Sequence, residues 1–141
     1  MATKFGGYMG RVVILDLTEG TVRDYPWSDE QRALYIGGKT MAARILCDLF
    51  KGNETPLSEE NVIVVSTGPL TGTGAPSSSR FNISTLSPQT GFIASSNCGG
   101  TFGYYLKKAG LDAAQAARSA LQMAVITAPY LFLLPSGLLY R

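Results

Sequence analysis

Residues 67–79 read Thr-Gly-Pro-Leu-Thr-Gly-Thr-Gly-Ala-Pro-Ser-Ser-Ser, a run almost wholly of Gly, Pro, Ser and Thr. Such a composition cannot continue a helix or a strand and would ordinarily mark a linker. The runs on either side, 62–66 and 80–84, are strand-like, so the stretch is expected to be a packed functional loop inside one domain. A length of 141 residues agrees with this, since it leaves room for one ordinary domain.

The other elements follow from hydrophobic period and punctuation. Residues 11–17 and 22–25 are two β-branched runs around the turn signal Thr18-Glu19-Gly20-Thr21, which predicts a hairpin. Ser28 followed by Asp29 and Glu30 predicts the start of a short helix that Gly37-Gly38 interrupts. From Thr40 the apolar residues Met41, Ala42, Ile45, Leu46, Leu49 and Phe50 recur at helical spacing and predict a second helix, closed by Lys51-Gly52-Asn53. Residues 91–95 predict a further strand, and residues 102–109 a helix that ends at Gly110.

Composition removes several classes of chemistry. The chain has no histidine, which excludes Ser-His-Asp and Cys-His nucleophile systems and His-ligated zinc within it. Its two cysteines, Cys47 and Cys98, cannot supply the four thiolates of an iron–sulfur cluster. Cys47 is expected in the core and Cys98 as a small packed residue. A net charge of +2 gives no nucleic-acid footprint, and no apolar leader follows Lys4, so a cytoplasmic setting is expected. Residues 121–139 are apolar and approach the length of a membrane span, but Gln122, Thr127, Pro129, Pro135, Ser136 and Gly137 weaken that reading. The alternative is a strand around 123–127 with an irregular tail.

Three glycine-rich sites invite a phosphate reading. Gly38-Lys39-Thr40 ends like a P-loop, yet the required first glycine falls on Ala33. Around Gly72 and Gly74 the third position of the dinucleotide fingerprint is Ser77, and Pro76 spoils the helix start. Gly99-Gly100-Thr101-Phe102-Gly103 follows a strand and opens a helix, a geometry that turns backbone N–H groups toward an anion; a tight turn needing positive φ explains the same glycines. Arg80 closes the loop and begins a strand. Its guanidinium either grips a phosphate held near Thr71, Ser77 or Ser79, or ties down loop carbonyls. Asn97 offers an amide and a carbonyl at the same rim, or forms a turn.

Taken together, Gly10-Arg-Val-Val-Ile-Leu-Asp-Leu-Thr, Gly37-Gly38-Lys39, residues 66–76 with Arg80, residues 96–103, and Leu106-Lys-Lys-Ala-Gly-Leu-Asp112 resemble the N-terminal domain of the aldehyde ferredoxin oxidoreductase family in order and spacing. The resemblance implies an α+β, mixed-sheet cofactor platform, incomplete here, that carries a tungsten or molybdenum bis-pyranopterin. It further implies that Arg80 contacts a pterin phosphate and that Asn97 supports the cofactor and, through its backbone carbonyl, the magnesium bridging the phosphates. Gly99 would give a backbone contact, and no residue of this chain would be catalytic. The family oxidises aldehydes to carboxylic acids and passes electrons through a [4Fe–4S] cluster to ferredoxin.

The resemblance runs from about Tyr8 to Ala113, so residues 1–113 are expected to form a partial tungstopterin-binding domain and residues 114–141 a non-matching apolar tail. The family's cluster ligands and acid/base groups lie beyond that block, and a truncated or frame-shifted product is the expectation. The alternatives are a non-catalytic anion- or cofactor-binding subunit, with oligomerisation open, and a tail-anchored membrane protein.

Overall fold

A computed structural model describes residues 3–117. Six strands form one mixed sheet in the order β2-β1-β6-β3-β4-β5: β1 (Val12–Asp16), β2 (Thr21–Tyr25), β3 (Val62–Thr67), β4 (Phe81–Leu86), β5 (Ile93–Cys98) and β6 (Ala113–Ala117). Only the β1–β6 pair is parallel. The helices are α1 (Asp29–Tyr35), α2 (Gly38–Leu49) and α3 (Phe102–Lys108). The expected α+β mixed-sheet class is therefore what the chain forms.

Local chemistry accounts for most boundaries. Ser28 caps α1 in a capping box: its hydroxyl accepts from the Gln31 N–H while the Gln31 side chain accepts from the Ser28 N–H. Met41, Ala42, Ile45 and Leu46 on α2 pack on Val12, Val62, Val64 and Ala113, with Trp27 at the margin, and this is the core. Cys47 is exposed, contrary to expectation, because it lies one residue past that buried stripe on the helix. Cys98 is exposed as well, at the end of the edge strand β5. The expected strand 91–95 starts and ends later, so Asn97 stands in β5 and not in the turn after it.

β6 is the element the sequence reading omits. Ala-Ala-Gln-Ala-Ala carries poor strand propensity, yet it runs through the middle of the sheet, parallel to β1 and antiparallel to β3. The expected division at 113/114 falls inside this strand, while the expectations for 121–139 and 123–127 lie outside the described residues. Register places Gln115 opposite Ile14 and Val64, on the face that α2 covers. Its side chain is fully buried, and neither its Nε2 nor its Oε1 has a hydrogen-bond partner among the described residues.

Leaving such a group unpaired costs about 1–3 kcal/mol. Gln115→Leu keeps the approximate volume and removes both orphaned atoms, so it should raise the unfolding free energy of the 141-residue chain by about 1–3 kcal/mol in urea denaturation. A lowered midpoint would show that the carboxamide is satisfied and that Leu overpacks the site.

Candidate functional site: a cleft between a helix start and the glycine-rich loop

The Gly/Pro/Ser/Thr stretch does fold as a packed loop. The Thr71 hydroxyl donates to the Arg80 carbonyl at 2.9 Å and accepts from the Gly68 N–H at 3.3 Å, so it joins the two ends of the loop. Gly103 of α3 closes on the same threonine, and Phe102 stacks on Phe81 with centroids 4.8 Å apart. Thr71 is thereby consumed in holding the loop. Ser77 stays at the rim with φ +57°, and Ser79 lies outside the cleft lining.

This loop forms one wall of a cleft of about 440 Å³. The opposite wall is the turn before α2. Gly37 packs so tightly on the chain after β3 that an added Cβ would stand 2.6 Å from the Thr67 carbonyl oxygen and 3.0 Å from the Gly68 Cα. Ile36 is forced to φ +54°, a conformation costly for a β-branched residue. Four successive carbonyls of this turn meet hydroxyls: Thr40 lies against those of Tyr35 and Gly37, Tyr8 donates to Ile36 at 2.6 Å, and Ser66 donates to Gly38 at 2.9 Å.

With the carbonyls engaged, the N–H groups of Gly37, Gly38 and Lys39 are left at the start of a twelve-residue helix that has no side-chain cap. They and the helix dipole give this wall positive potential. Among the described residues that line the cleft, Arg80 is the only charged one and none carries a carboxylate. Its guanidinium makes no hydrogen bond or ion pair among the described residues, so it does not tie down the loop carbonyls.

Asn97 lines the cleft with Arg80, whereas Gly99 stands exposed beyond the strand and outside the lining. The sheet register reveals more about Asn97. Leu86 turns both its N–H and its carbonyl toward Asn61 beside β3, and backbone direction alternates along β4. Phe81, Ile83 and Thr85 therefore bond to β5, and the Asn82–Asn97 pair is a non-hydrogen-bonded one. The Asn97 carbonyl and N–H consequently face the edge of the sheet, where no strand pairs with β5 among the described residues.

An N-terminal strap braces the back of the cleft. Thr3 and the Lys4 N–H hydrogen-bond the Asp29 carboxylate, Gly7 abuts the Pro69 carbonyl, and the Met9 and Gly10 N–H groups donate to Asp112 at 2.9 and 2.8 Å. Lys107 donates to the Gly7 carbonyl at 2.7 Å and to Asp112 at 2.6 Å, both side chains being almost fully buried. Burial and the nearby Asp112 carboxylate raise the Tyr8 phenol above its ordinary pKa, with Arg32 opposing, which keeps that phenol a donor to Ile36.

Sequence reasoning singled out Arg80 and Asn97, which the fold brings together. It missed Tyr8, Ser66 and Asn82, whose partners lie far away in sequence. Among the described residues no cluster of three or more His, Cys, Asp or Glu is placed to hold a metal, and no helix is long and apolar enough to cross a membrane.

Fold and cleft together define a mixed-sheet platform with a glycine-rich, basic cleft. The sequence model for the N-terminal domain of aldehyde ferredoxin oxidoreductase matches residues 12–121, and the chain belongs to that family. The tungsten-containing aldehyde ferredoxin oxidoreductases of Pyrococcus abyssi and Thermococcus kodakarensis are 39% and 40% identical to it over 107 residues, which is 76% of this chain and 18% of each relative. A WOR-like subunit of the aliphatic sulfonate oxidoreductase of Pyrococcus furiosus is 32% identical over 108 residues. Among solved structures, a chain of the active site complex BamBC of benzoyl coenzyme A reductase, in complex with 1,5-dienoyl-CoA, superposes with a TM-score of 0.76 at 34% identity, over 80% of this chain and 17% of that one. The chain thus spans less than a fifth of the length of these relatives.

Two predictions test the strap. Lys107→Met leaves the Asp112 carboxylate buried without its counter-ion and should destabilise the chain by about 3–5 kcal/mol in urea denaturation; a loss under 1 kcal/mol would mean that water reaches Asp112. The hydrogen bonds from Thr3 and Lys4 hold the Asp29 carboxyl below its ordinary value of 3.8. The strap's outer tether should therefore be fully present above pH 3.8 and be lost as pH falls through the depressed value. The protection of the Lys4 amide relative to its intrinsic exchange at each pH should fall over that acid range, and protection that holds unchanged through it would contradict the assignment.

Proposed function

We propose that this chain supplies the cofactor-binding part of an aldehyde ferredoxin oxidoreductase-type enzyme, with a tungsten or molybdenum bis-pyranopterin seated at the cleft through its phosphates. The observation that carries this reading is the Arg80 guanidinium, unpaired among the described residues and set in a cleft without carboxylates that the uncapped start of α2 also borders. The residues fit the group on chemical grounds. A phosphate dianion suits a guanidinium and free amides, and a bridging magnesium suits a carbonyl such as that of Asn97 at the open sheet edge. The exposed backbone of Gly99, beyond Asn97, is the third contact in this reading.

When bound, the metal and its dithiolene pterins supply the two-electron chemistry that converts an aldehyde to a carboxylic acid. What this chain does is bind and orient. Arg80 neutralises phosphate charge, the Gly37–Gly38 wall fixes how close the ligand can lie, and the strap keeps both walls at one spacing. The cofactor-binding part comprises residues 1–113, with the rest of β6 completing the sheet beneath it. In this proposal an aldehyde is the substrate, a [4Fe–4S] cluster relays electrons to ferredoxin, and the cluster needs thiolates beyond Cys47 and Cys98. Those two cysteines are both free, in keeping with a reducing cytoplasm.

Arg80→Ala is the direct test, made in a full-length family member that carries the same 68–80 block. A charge-assisted hydrogen bond contributes roughly 1.5–3 kcal/mol, so cofactor affinity should fall about ten- to a hundredfold, whereas loss of an exposed side chain should change stability by only about 0.5 kcal/mol. Metal and pterin content is measured beside the unfolding midpoint. Wild-type cofactor occupancy with a lowered midpoint would make Arg80 a brace for the fold instead.

A further inference from the structure

At the floor of the cleft lies a polar network centred on Asn82, a buried asparagine that is the second residue of β4. Its Nδ2 stands 2.7 Å from the Ser95 Oγ, 3.1 Å from the Ser96 carbonyl oxygen and 3.0 Å from the Asn97 Oδ1, and its Oδ1 accepts from the Ser84 hydroxyl at 2.7 Å. A backbone carbonyl can only accept, so the Asn82 atom that faces Ser96 must be the nitrogen. An amide nitrogen cannot accept, so the Asn97 atom 3.0 Å from it must be the oxygen, which places the Asn97 Oδ1 inward; the two Nδ2 hydrogens then serve Ser96 and Asn97 while the Ser95 hydroxyl pairs with Ser84. The Asn97 Nδ2, with no acceptor among the described residues, is the arm left for the cleft.

We propose that Asn82 is a positioning residue of the cleft: it locks the Asn97 carboxamide with its oxygen inward, so that Asn97 presents an N–H donor to a phosphate-bearing ligand opposite Arg80. This rests on the phosphate reading of the cleft given above. The Ser96 carbonyl fixes which end of the Asn82 carboxamide faces β5, and the Ser84 hydroxyl completes the network by donating to the Asn82 Oδ1. The Ser84 and Ser95 hydroxyls, 3.1 Å apart, remain partners for each other when Asn82 is replaced.

The test is a titration of the full 141-residue chain with inorganic pyrophosphate, followed by ¹⁵N NMR so that the Asn97 side-chain NH₂ pair is observed directly. Asn82→Leu, uncharged and similar in size, should raise the dissociation constant about tenfold. It should also collapse the two Asn97 amide proton shifts toward those of a freely rotating side chain. Asn97→Ala should weaken binding as much, and Asn82→Leu should add nothing in the Asn97→Ala background, because no carboxamide is left to orient. An equal loss in both backgrounds would mean that Asn82 acts through the fold at large and overturns the proposal, as would wild-type affinity for Asn82→Leu. Arg80→Ala separates the two levels of the argument. If it leaves affinity unchanged, or if the wild-type chain binds no pyrophosphate, the phosphate reading itself fails and this inference falls with it. Should Asn82→Leu not fold, Asn82→Ala removes the same carboxamide without adding bulk and should raise the dissociation constant about tenfold, again with no effect in the Asn97→Ala background.

Discussion

Asp112 is the residue on which the arrangement turns. Its carboxylate takes the N–H groups of Met9 and Gly10 and the Lys107 ammonium, its carbonyl accepts both the N–H and the hydroxyl of Thr67, and its own N–H donates to the Arg11 carbonyl. One buried side chain and its backbone therefore join the strap, β1, β3, α3 and the start of β6. Burying a carboxylate is costly, and here two backbone donors and an ammonium offset the cost. Because Thr67 leads directly into Gly68 and Pro69, the same bonds fix where the glycine-rich loop departs. A cleft wall made of glycine, proline and serine has few interactions of its own, and its rigidity is borrowed from this junction.

The cleft shows what glycine contributes to such a site. Gly37 is needed for close approach: its missing Cβ lets the start of α2 settle onto Thr67 and Gly68, which narrows the distance between helix amides and loop. The carbonyls of the turn are drawn away to Tyr8, Thr40 and Ser66, so its donors are what remain for a ligand. Arg80 adds a full positive charge on the other side. The first amides of α2, which no helical carbonyl can reach, thus stand beside carbonyls already taken by the hydroxyls of Tyr8, Thr40 and Ser66.

The legibility of these features in the sequence follows from range. The hairpin, the Ser28 cap and the buried stripe of α2 are written in residues within a few positions of one another, and all three form as the pattern predicts. β6 was not legible, because Ala-Ala-Gln-Ala-Ala has neither alternation nor β-branched residues; its strand state comes from β1 and β3 on either side. Arg80 and Asn97 were legible as candidates from loop chemistry and family resemblance, and the fold brings both to one cleft. Asn82 carried a signal that was available, a carboxamide in the interior of a strand where asparagine is depleted. What it binds could not be read without the β4–β5 register. Tyr8 and Lys107 act across 28 and 100 residues of sequence, beyond any local pattern.

The proposed platform stands or falls on whether a magnesium-bridged phosphate ligand binds in the cleft. The most direct measurement is a crystal structure of the chain soaked with manganese pyrophosphate, in which anomalous scattering locates the metal. The expected result is manganese at the Asn97 carbonyl, with pyrophosphate between Arg80 and the amides of Gly37 and Gly38. An empty cleft, with pyrophosphate instead in the second groove of about 350 Å³ beside Arg11, Asp24 and Trp27, would contradict it.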